Sequence, residues 1–328
     1  MSGIRLNFED PIKDSVTRIR FAPQSNNLLI SSWDSSLRLY DVETNELRLE
    51  AQIDAAVLDC CFEDEFVAFS AASDGSIFRY DLQTGDHSAI GLHDDSATCI
   101  EYSNETSQVI TTGWDGNICF WDPCSNQVSR SFVGSTSLVE SISLCRFELL
   151  VGTGSLVRKY DLRKSGAAMQ AEELPMSISV RCVRSMAGWE GFAVGSFDGR
   201  VTLQTDTEEI GYTFRCVPKS KNRKYHLVTV NDIAFNPCAP GVFVTGDYEG
   251  QVIAWDAKSR KRLLELPRYP NTVASLSYNH TGELLAIASS YTYQEANELE
   301  DHPQIFIQEM GENYLRCAAA ESSARKQR

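Results

Sequence analysis

A unit that recurs about every forty residues constrains this chain more than any other feature. Each copy is a polar turn followed by a short strand. Ser32-Trp33-Asp34 leads into Leu37-Arg38-Leu39-Tyr40-Asp41, Ser73-Asp74-Gly75 into Ile77-Phe78-Arg79-Tyr80-Asp81, and Trp114-Asp115-Gly116 into Cys119-Phe120-Trp121-Asp122. Weaker copies lie at 156–161, 196–201 and 247–256. The closing aspartates Asp41, Asp81, Asp122 and Asp161 are spaced by 40, 41 and 39 residues. A unit this small cannot bury its own apolar face, so neighbouring units must stack. Within the units apolar and polar residues alternate, as in Leu37 and Leu39 against Arg38 and Tyr40, which predicts strands with one buried face. Asp74-Gly75, Asp115-Gly116, Asp198-Gly199 and Glu249-Gly250 supply hairpin turns tolerant of positive φ. No long helical period interrupts them.

This period is that of a WD-repeat blade, and it predicts an all-β, seven-bladed WD-repeat β-propeller. The seventh unit, residues 272–278, 284–288 and 304–307, lacks an outer strand. The N-terminal alternation Ile4, Leu6, Phe8 is expected to supply it and close the ring, removing the sheet edges an open array would leave. One domain over 1–316 and a disordered tail over 317–328 follow from this reading. His93 alone occupies the histidine position of a WD repeat cleanly, with Asp115, Thr111 or Thr112, and Trp121 available for a hydrogen-bond network within the blade.

Charge and cysteine content narrow the function classes. The net charge of −15 comes entirely from residues 1–150, where 9 Lys/Arg face 24 Asp/Glu; the remainder holds 21 of each. Such a balance argues against non-specific nucleic-acid binding and directs any anionic partner to the second half. No stretch is apolar enough to span a bilayer and the first residues lack a signal-peptide core, so a cytosolic or nuclear protein is expected, its ten dispersed cysteines reduced. The Asn104 and Asn279 glycosylation sequons should then stay unmodified. Five histidines show no metal-ligand spacing, and no nucleophile elbow, P-loop or dinucleotide fingerprint occurs, so no enzyme activity, catalytic residue, metal or cofactor is expected.

Four stretches carry a resemblance beyond the generic repeat: SSWDSSLRLYD at 31–41, AAVLDCCF at 55–62, KRLLELPRYPNTVASLSY at 261–278 and LLAIASSYTY at 284–293. They resemble the mitotic-checkpoint WD-repeat family called Bub-three, whose sister is the messenger-RNA export propeller family called Rae-one. The acidic loop ending Asp301-His302-Pro303 is more similar to the checkpoint branch. The resemblance implies a non-enzymatic scaffold of the spindle assembly checkpoint, monomeric within a hetero-complex, located in the nucleus and at kinetochores with a cytoplasmic pool. It implies binding of GLEBS segments of checkpoint kinases across the upper face, and of phosphorylated MELT-type motifs of an outer-kinetochore protein.

On the family's motifs, the phosphopeptide-binding residues match Arg200 in Gly199-Arg200-Val201 and Arg215 in Phe214-Arg215-Cys216. A contact to GLEBS acidic side chains matches Arg181 in Val180-Arg181-Cys182. Trp33 and Trp114 precede turn aspartates, where an aromatic either projects onto the face as a partner contact or packs between blades. Three positions depart from the family: Gln204 in place of Glu, and Val217-Pro218 in place of His-Arg, followed by the basic run 219–224. Tyr160-Asp161-Leu162-Arg163 resembles a box that docks some WD-repeat proteins onto a cullin-type ubiquitin-ligase adaptor, with Arg163 as the contact. A ligase receptor and an export propeller are thus the alternative functions.

Overall fold

In the computed structural model, residues 3–124, 127–133, 138–164, 170–173, 179–186, 191–205, 211–216, 228–291 and 302–311 are described. They form seven four-stranded antiparallel sheets, with no helix among them. Six sheets are consecutive in sequence, over residues 16–52, 57–92, 97–133, 139–173, 180–215 and 230–265, and are numbered blades 1 to 6. Blade 7 takes three strands from residues 273–309 and its fourth from Ile4–Arg5. Ile4 and Arg5 pair antiparallel with Ile307 and Phe306, and Leu6 N donates to Ile305 O at 2.9 Å. Leu6 is buried and Phe8 packs on Tyr40 with ring centroids 5.1 Å apart, whereas Ile4, at the free tip of the strand, is exposed. Residues 317–328 lie outside the described set.

The end of the ring where each innermost strand begins is called the upper end. Every innermost strand opens with an apolar residue and then slips register by one position, at 17, 58, 98, 140, 181, 231 and 274. An inserted residue of this kind is unpaired and turned out of the ladder. Between blades, apolar residues from facing sheets fill the core, as where Val180, Val183, Phe192 and Val194 of blade 5 meet Leu150 and Val157 of blade 4. All nine described cysteines are free thiols, six of them buried.

Across the channel the inner strands are joined by charge rather than by apolar contact. Arg18 of blade 1 donates through Nε to Asp59 of blade 2 at 3.0 Å and through Nη1 to Asp232 of blade 6 at 3.3 Å. Arg184 of blade 5 reaches the other Asp232 oxygen at 2.5 Å. Arg20 grips Glu101 of blade 3 with two 2.8 Å bonds. Asp232 also accepts the Leu276 and Ile233 backbone N–H groups, both at 2.9 Å, and the Ser275 hydroxyl at 3.1 Å. Burial alone would raise its carboxyl pKa, but Arg184, Arg18 and the backbone donors outweigh it and hold the group below the usual range.

The hydrogen-bond network anticipated around His93 is present in blade 3. His93 Nδ1 lies 2.9 Å from Asp115, its Nε2 lies 2.7 Å from Thr111 Oγ1, and Trp121 Nε1 donates to the same hydroxyl at 2.7 Å. Blade 6 repeats the arrangement with one change. Trp255 Nε1 donates to Thr245 at 3.0 Å and Asp247 accepts the Glu249 and Gln251 N–H groups at 2.9 Å, but Cys216 stands at the histidine position. Both His93 and Cys216 are the first residue after a blade's outer strand, and both donate their N–H to the turn glycine of that blade. Without an imidazole partner, burial pushes the Asp247 carboxyl up to about 6.

A buried carboxylate with a raised pKa costs stability when ionised. The cost is full above the folded-state value of about 6 and disappears as pH falls to the unfolded value of about 3.9. Asp247→Asn keeps the Oδ1 acceptor for both backbone bonds, so it is expected to stabilise the chain by about 1–3 kcal/mol at pH 8. The gain should fade between pH 6 and pH 4, as read by thermal melts at each pH. Equal melting temperatures at pH 8 would contradict a cost of burying this carboxylate without an imidazole partner.

Candidate functional site

The upper end of the channel opens into a cavity of about 310 Å³. Its rim is the ring of inserted inner-strand residues: Thr17, Leu58, Thr98, Glu140, Arg181, Asn231 and Ala274. Because each is turned out of its ladder, the seven side chains are free of strand-pairing duty and face the mouth together. Arg181 is the one cation among them and Glu140, on the adjacent blade, the one anion. Burial pushes the Glu140 carboxyl up and Arg181 opposes the shift. Trp33 and Trp114 line the same mouth. Trp33 is half-buried there and Trp114 53% exposed.

Arg181, Arg200 and Arg215 all lie at the upper end of blade 5, whose strands are Val180–Ser185, Gly191–Ser196, Arg200–Thr205 and Gly211–Arg215. They form a radial line. Arg181, on the innermost strand, holds its guanidinium 5.7 Å from the centre of the Phe197 ring. Asp198, the next residue in that turn, receives Arg200 Nε at 2.8 Å and lies 3.8 Å from Arg215 Nη2. Arg215 Nη1 also donates to the Asp198 carbonyl at 2.9 Å. Arg200 and Arg215 are direct cross-strand partners on the two outer strands. One carboxylate thus sets the direction of two guanidinium groups. At ~4.8 Å between strands, the line from Arg181 to Arg215 spans ~14 Å, the reach of about four extended residues.

Of the three departures from the family, Gln204 lies at the lower end of its strand, opposite Phe192 and Gly211. It is about 13 Å from Arg200 along the chain direction, so the change does not touch the upper site. Val217, Pro218 and the basic run 219–224 fall outside the described residues.

Arg163 belongs to the opposite end of the ring, just beyond the lower end of the strand Leu156–Asp161. Its guanidinium donates twice to Asp161, at 2.9 and 2.8 Å, and rests 5.1 Å from the Phe147 ring centre. Those bonds draw the Asp161 carboxyl down to about 2. The structure therefore does not group Arg163 with the other five candidate residues. Among the described residues no set of three or more His, Cys, Asp or Glu is placed to hold a metal.

Sequence reasoning missed two components of this site. The seven-membered rim was readable in principle: in each inner strand the buried apolar residues are three apart, as in Val16 and Ile19, Val139 and Ile142, or Val180 and Val183. Strict alternation would place them two apart, and the extra residue marks the bulge. In sequence Asp198 reads only as a turn residue.

Comparison with known proteins gives the same fold and places the chain among them. The WD domain, G-beta repeat family matches residues 6–41 and 88–122. The solved structure of U3-55K superposes with a TM-score of 0.81, covering 94% of this chain and 98% of that one, at 15% identity, a likeness of fold alone. Mitotic checkpoint protein BUB3.3 of Arabidopsis thaliana is 50% identical across 94% of this chain and 99% of the relative. Mitotic checkpoint protein BUB3.1 of the same plant is 38% identical across 92% of each. With identity of this order over more than nine-tenths of its length, the chain belongs to the BUB3 family of mitotic checkpoint WD-repeat proteins.

Proposed function

We propose that this chain is a non-enzymatic platform of the mitotic checkpoint that takes an extended partner segment across the upper end of its ring. The observation that carries this reading is the convergence of Arg181, Arg200, Arg215, Trp33 and Trp114 on one end. In this reading Trp33, Trp114 and Arg181 at the mouth receive the GLEBS-type segment of a checkpoint kinase or its relative. An acidic side chain of that segment meets Arg181, whose stacking on Phe197 fixes its position. Arg200 and Arg215 receive the phosphothreonine of a MELT-type motif from an outer-kinetochore protein. A phosphate carries about −1.5 to −2 charges and three acceptor oxygens, and guanidinium groups held in place donate to it at little entropic cost. Work of this kind puts the protein in the nucleus and, in mitosis, at kinetochores, with a cytoplasmic pool, as one subunit of a hetero-complex without cofactor.

Titration of a fluorescent MELT-type peptide in phosphorylated and unphosphorylated forms tests the reading. The phosphopeptide should bind at least tenfold tighter, and Arg200→Ala/Arg215→Ala should remove that preference, each lost charge-assisted contact being worth about 1.5–3 kcal/mol. Raising the salt should weaken the phosphopeptide more than its control. Equal binding of the two forms would exclude phosphate recognition here.

A further inference from the structure

The channel holds a second cavity, of about 380 Å³, at the end of the ring opposite the one that receives partner segments in the reading above. Its floor follows from the inner strands. Side chains two apart in a strand face the same way, so the residues one and three positions after each inserted residue form two further rings inside the channel. The first of these carries Arg18, Asp59 and Asp232, and the second, nearer the lower end, carries Arg20, Glu101 and Arg184. The other positions of the second ring are small, and three of them, Ser143, Ala234 and Ser277, line the cavity that their size leaves open. Arg18 and Arg184 line both cavities, so their bridge through Asp232 is the partition between them. The lower cavity opens past Pro237 and His280, just beyond the ends of the inner strands Val230–Phe235 and Val273–Tyr278.

The partition is electrically sided. Asp59 lines the upper cavity and Asp232 lines neither, whereas Arg18, Arg20 and Arg184 all line the lower one, their side chains 16–25% exposed. Glu101 is the one carboxylate among the lower lining residues, and Arg20 holds both of its oxygens at 2.8 Å. Among the described residues Arg18 Nη2, Arg20 Nε and Arg184 Nε have no hydrogen-bond acceptor, so guanidinium donors are left over once the ion pairs are made. Inside a walled cavity a guanidinium bond to an anion is stronger than at the surface. The wall also holds the half-buried rings of Phe235 and Tyr278. Cationic donors beside aromatic walls match a carboxylate or phosphate carried on an apolar ring. The space is that of a small molecule, pockets for which run from about 300 Å³ upward.

We infer that the lower cavity binds a small organic anion, with its carboxylate or phosphate on Arg18, Arg20 and Arg184 and its apolar body against Phe235 and Tyr278. The site is independent of what the upper end takes. Because its floor is built from blades 1 and 5 together, the ligand binds only the closed ring and raises its melting temperature.

The test titrates the full chain with benzoate, with phenyl phosphate, and with benzamide as the neutral counterpart, following backbone amide shifts by NMR. The anions should bind at millimolar concentration or below and move the amides of 233–236 and 276–280, benzamide binding at least tenfold more weakly; the tighter of the two anions tells carboxylate from phosphate. Ala234→Leu, which fills the cavity, should weaken that anion at least tenfold. Arg20→Met/Glu101→Met, which removes a donor and leaves the net charge unchanged, should weaken it at least threefold, in proteins whose melting temperatures are checked. Lys258→Gln/Lys261→Gln, exposed at the lower end of blade 6, should change binding less than twofold. Failure of both anions to bind, equal binding of benzamide, full affinity in the Ala234 variant, or shifts confined to the upper mouth at 113–117 and 179–184 would each overturn the proposal. A Phe-Glu peptide that moves the lower amides where neither small anion does would assign the cavity to a partner's protein segment and overturn it equally.

Discussion

Deleting residues 1–9 is expected to lower the melting temperature by about 7 °C. The deletion removes the outer strand of blade 7, its pairing with Ile307 and Phe306, and the Leu6 hydrogen bond to Ile305. It re-exposes the pocket filled by Leu6, worth about 2 kcal/mol of apolar burial. It also removes Phe8 from Tyr40 and the Asn7 carbonyl that accepts the Tyr40 hydroxyl at 3.1 Å. Each hydrogen bond contributes about 1 kcal/mol and the aromatic contact about as much, so the total loss is about 5 kcal/mol. Unfolding entropy scales at about 2.1 cal/mol/K per residue, or about 0.7 kcal/mol/K for a chain of this size, which converts that loss into the expected shift. The strand left behind, Gln304–Glu309, becomes an open edge, so aggregation on heating should rise as well. Thermal melts of the truncated chain by circular dichroism read both effects. An unchanged melting temperature would mean that the ring closes without its N-terminal strand.

Asp232→Ala should cost about 3–5 kcal/mol and weaken the ring at its centre rather than at its seam. Asp232 joins Arg18 of blade 1 to Arg184 of blade 5 while accepting two backbone N–H groups and the Ser275 hydroxyl. Alanine leaves those backbone and hydroxyl donors and two partly buried guanidinium groups beside an apolar methyl, Arg18 keeping Asp59 alone as its anion. Asp232→Asn keeps acceptor capacity and loses only the charge, so it should fall between alanine and the parent. Burial raises the carboxyl pKa, but Arg184 and Arg18 bring it below its unfolded value. The stability it contributes is therefore present above about pH 3.9 and lost as pH falls through the lower folded-state value. Chemical denaturation at pH 7 and at pH 3 measures both; in the alanine variant this acid-sensitive component should be missing. A loss below about 1 kcal/mol at pH 7 would show that the ring does not depend on this bridge.

The fold was legible because the ring is made of one unit written seven times. Spacing of the closing aspartates set the blade, alternation set the buried faces, and the missing outer strand of blade 7 pointed to Ile4, Leu6 and Phe8. Of those three, Ile4 turned out exposed although its backbone pairs with Ile307, because it stands on the outermost strand of the blade. Positions that depart from strict alternation were the illegible ones. The bulge in each inner strand is a local backbone event, and only superposing all seven copies reveals that Arg181 and Glu140 are members of one rim. Charges inside the channel were hidden for a different reason: Arg18, Asp59 and Asp232 come from blades far apart in sequence, and only ring closure brings them together. Cys216 reads in sequence only as one of the reduced thiols, and its place at the histidine position of blade 6 emerges from the shared N–H contact to the turn glycine. Arg200 and Arg215 entered through family resemblance, and what the geometry adds is Asp198, which orients both.

Hydrogen exchange of the full chain with and without a saturating GLEBS-type peptide tests the central claim most directly, because it reports which end of the ring a partner covers. Binding at the upper end predicts slowed exchange in the backbone of 33–36, 113–117 and 179–184, with the lower turns at 42–45 and 161–164 unchanged. Protection confined to the lower turns, or binding with no protection at the upper rim, would contradict it.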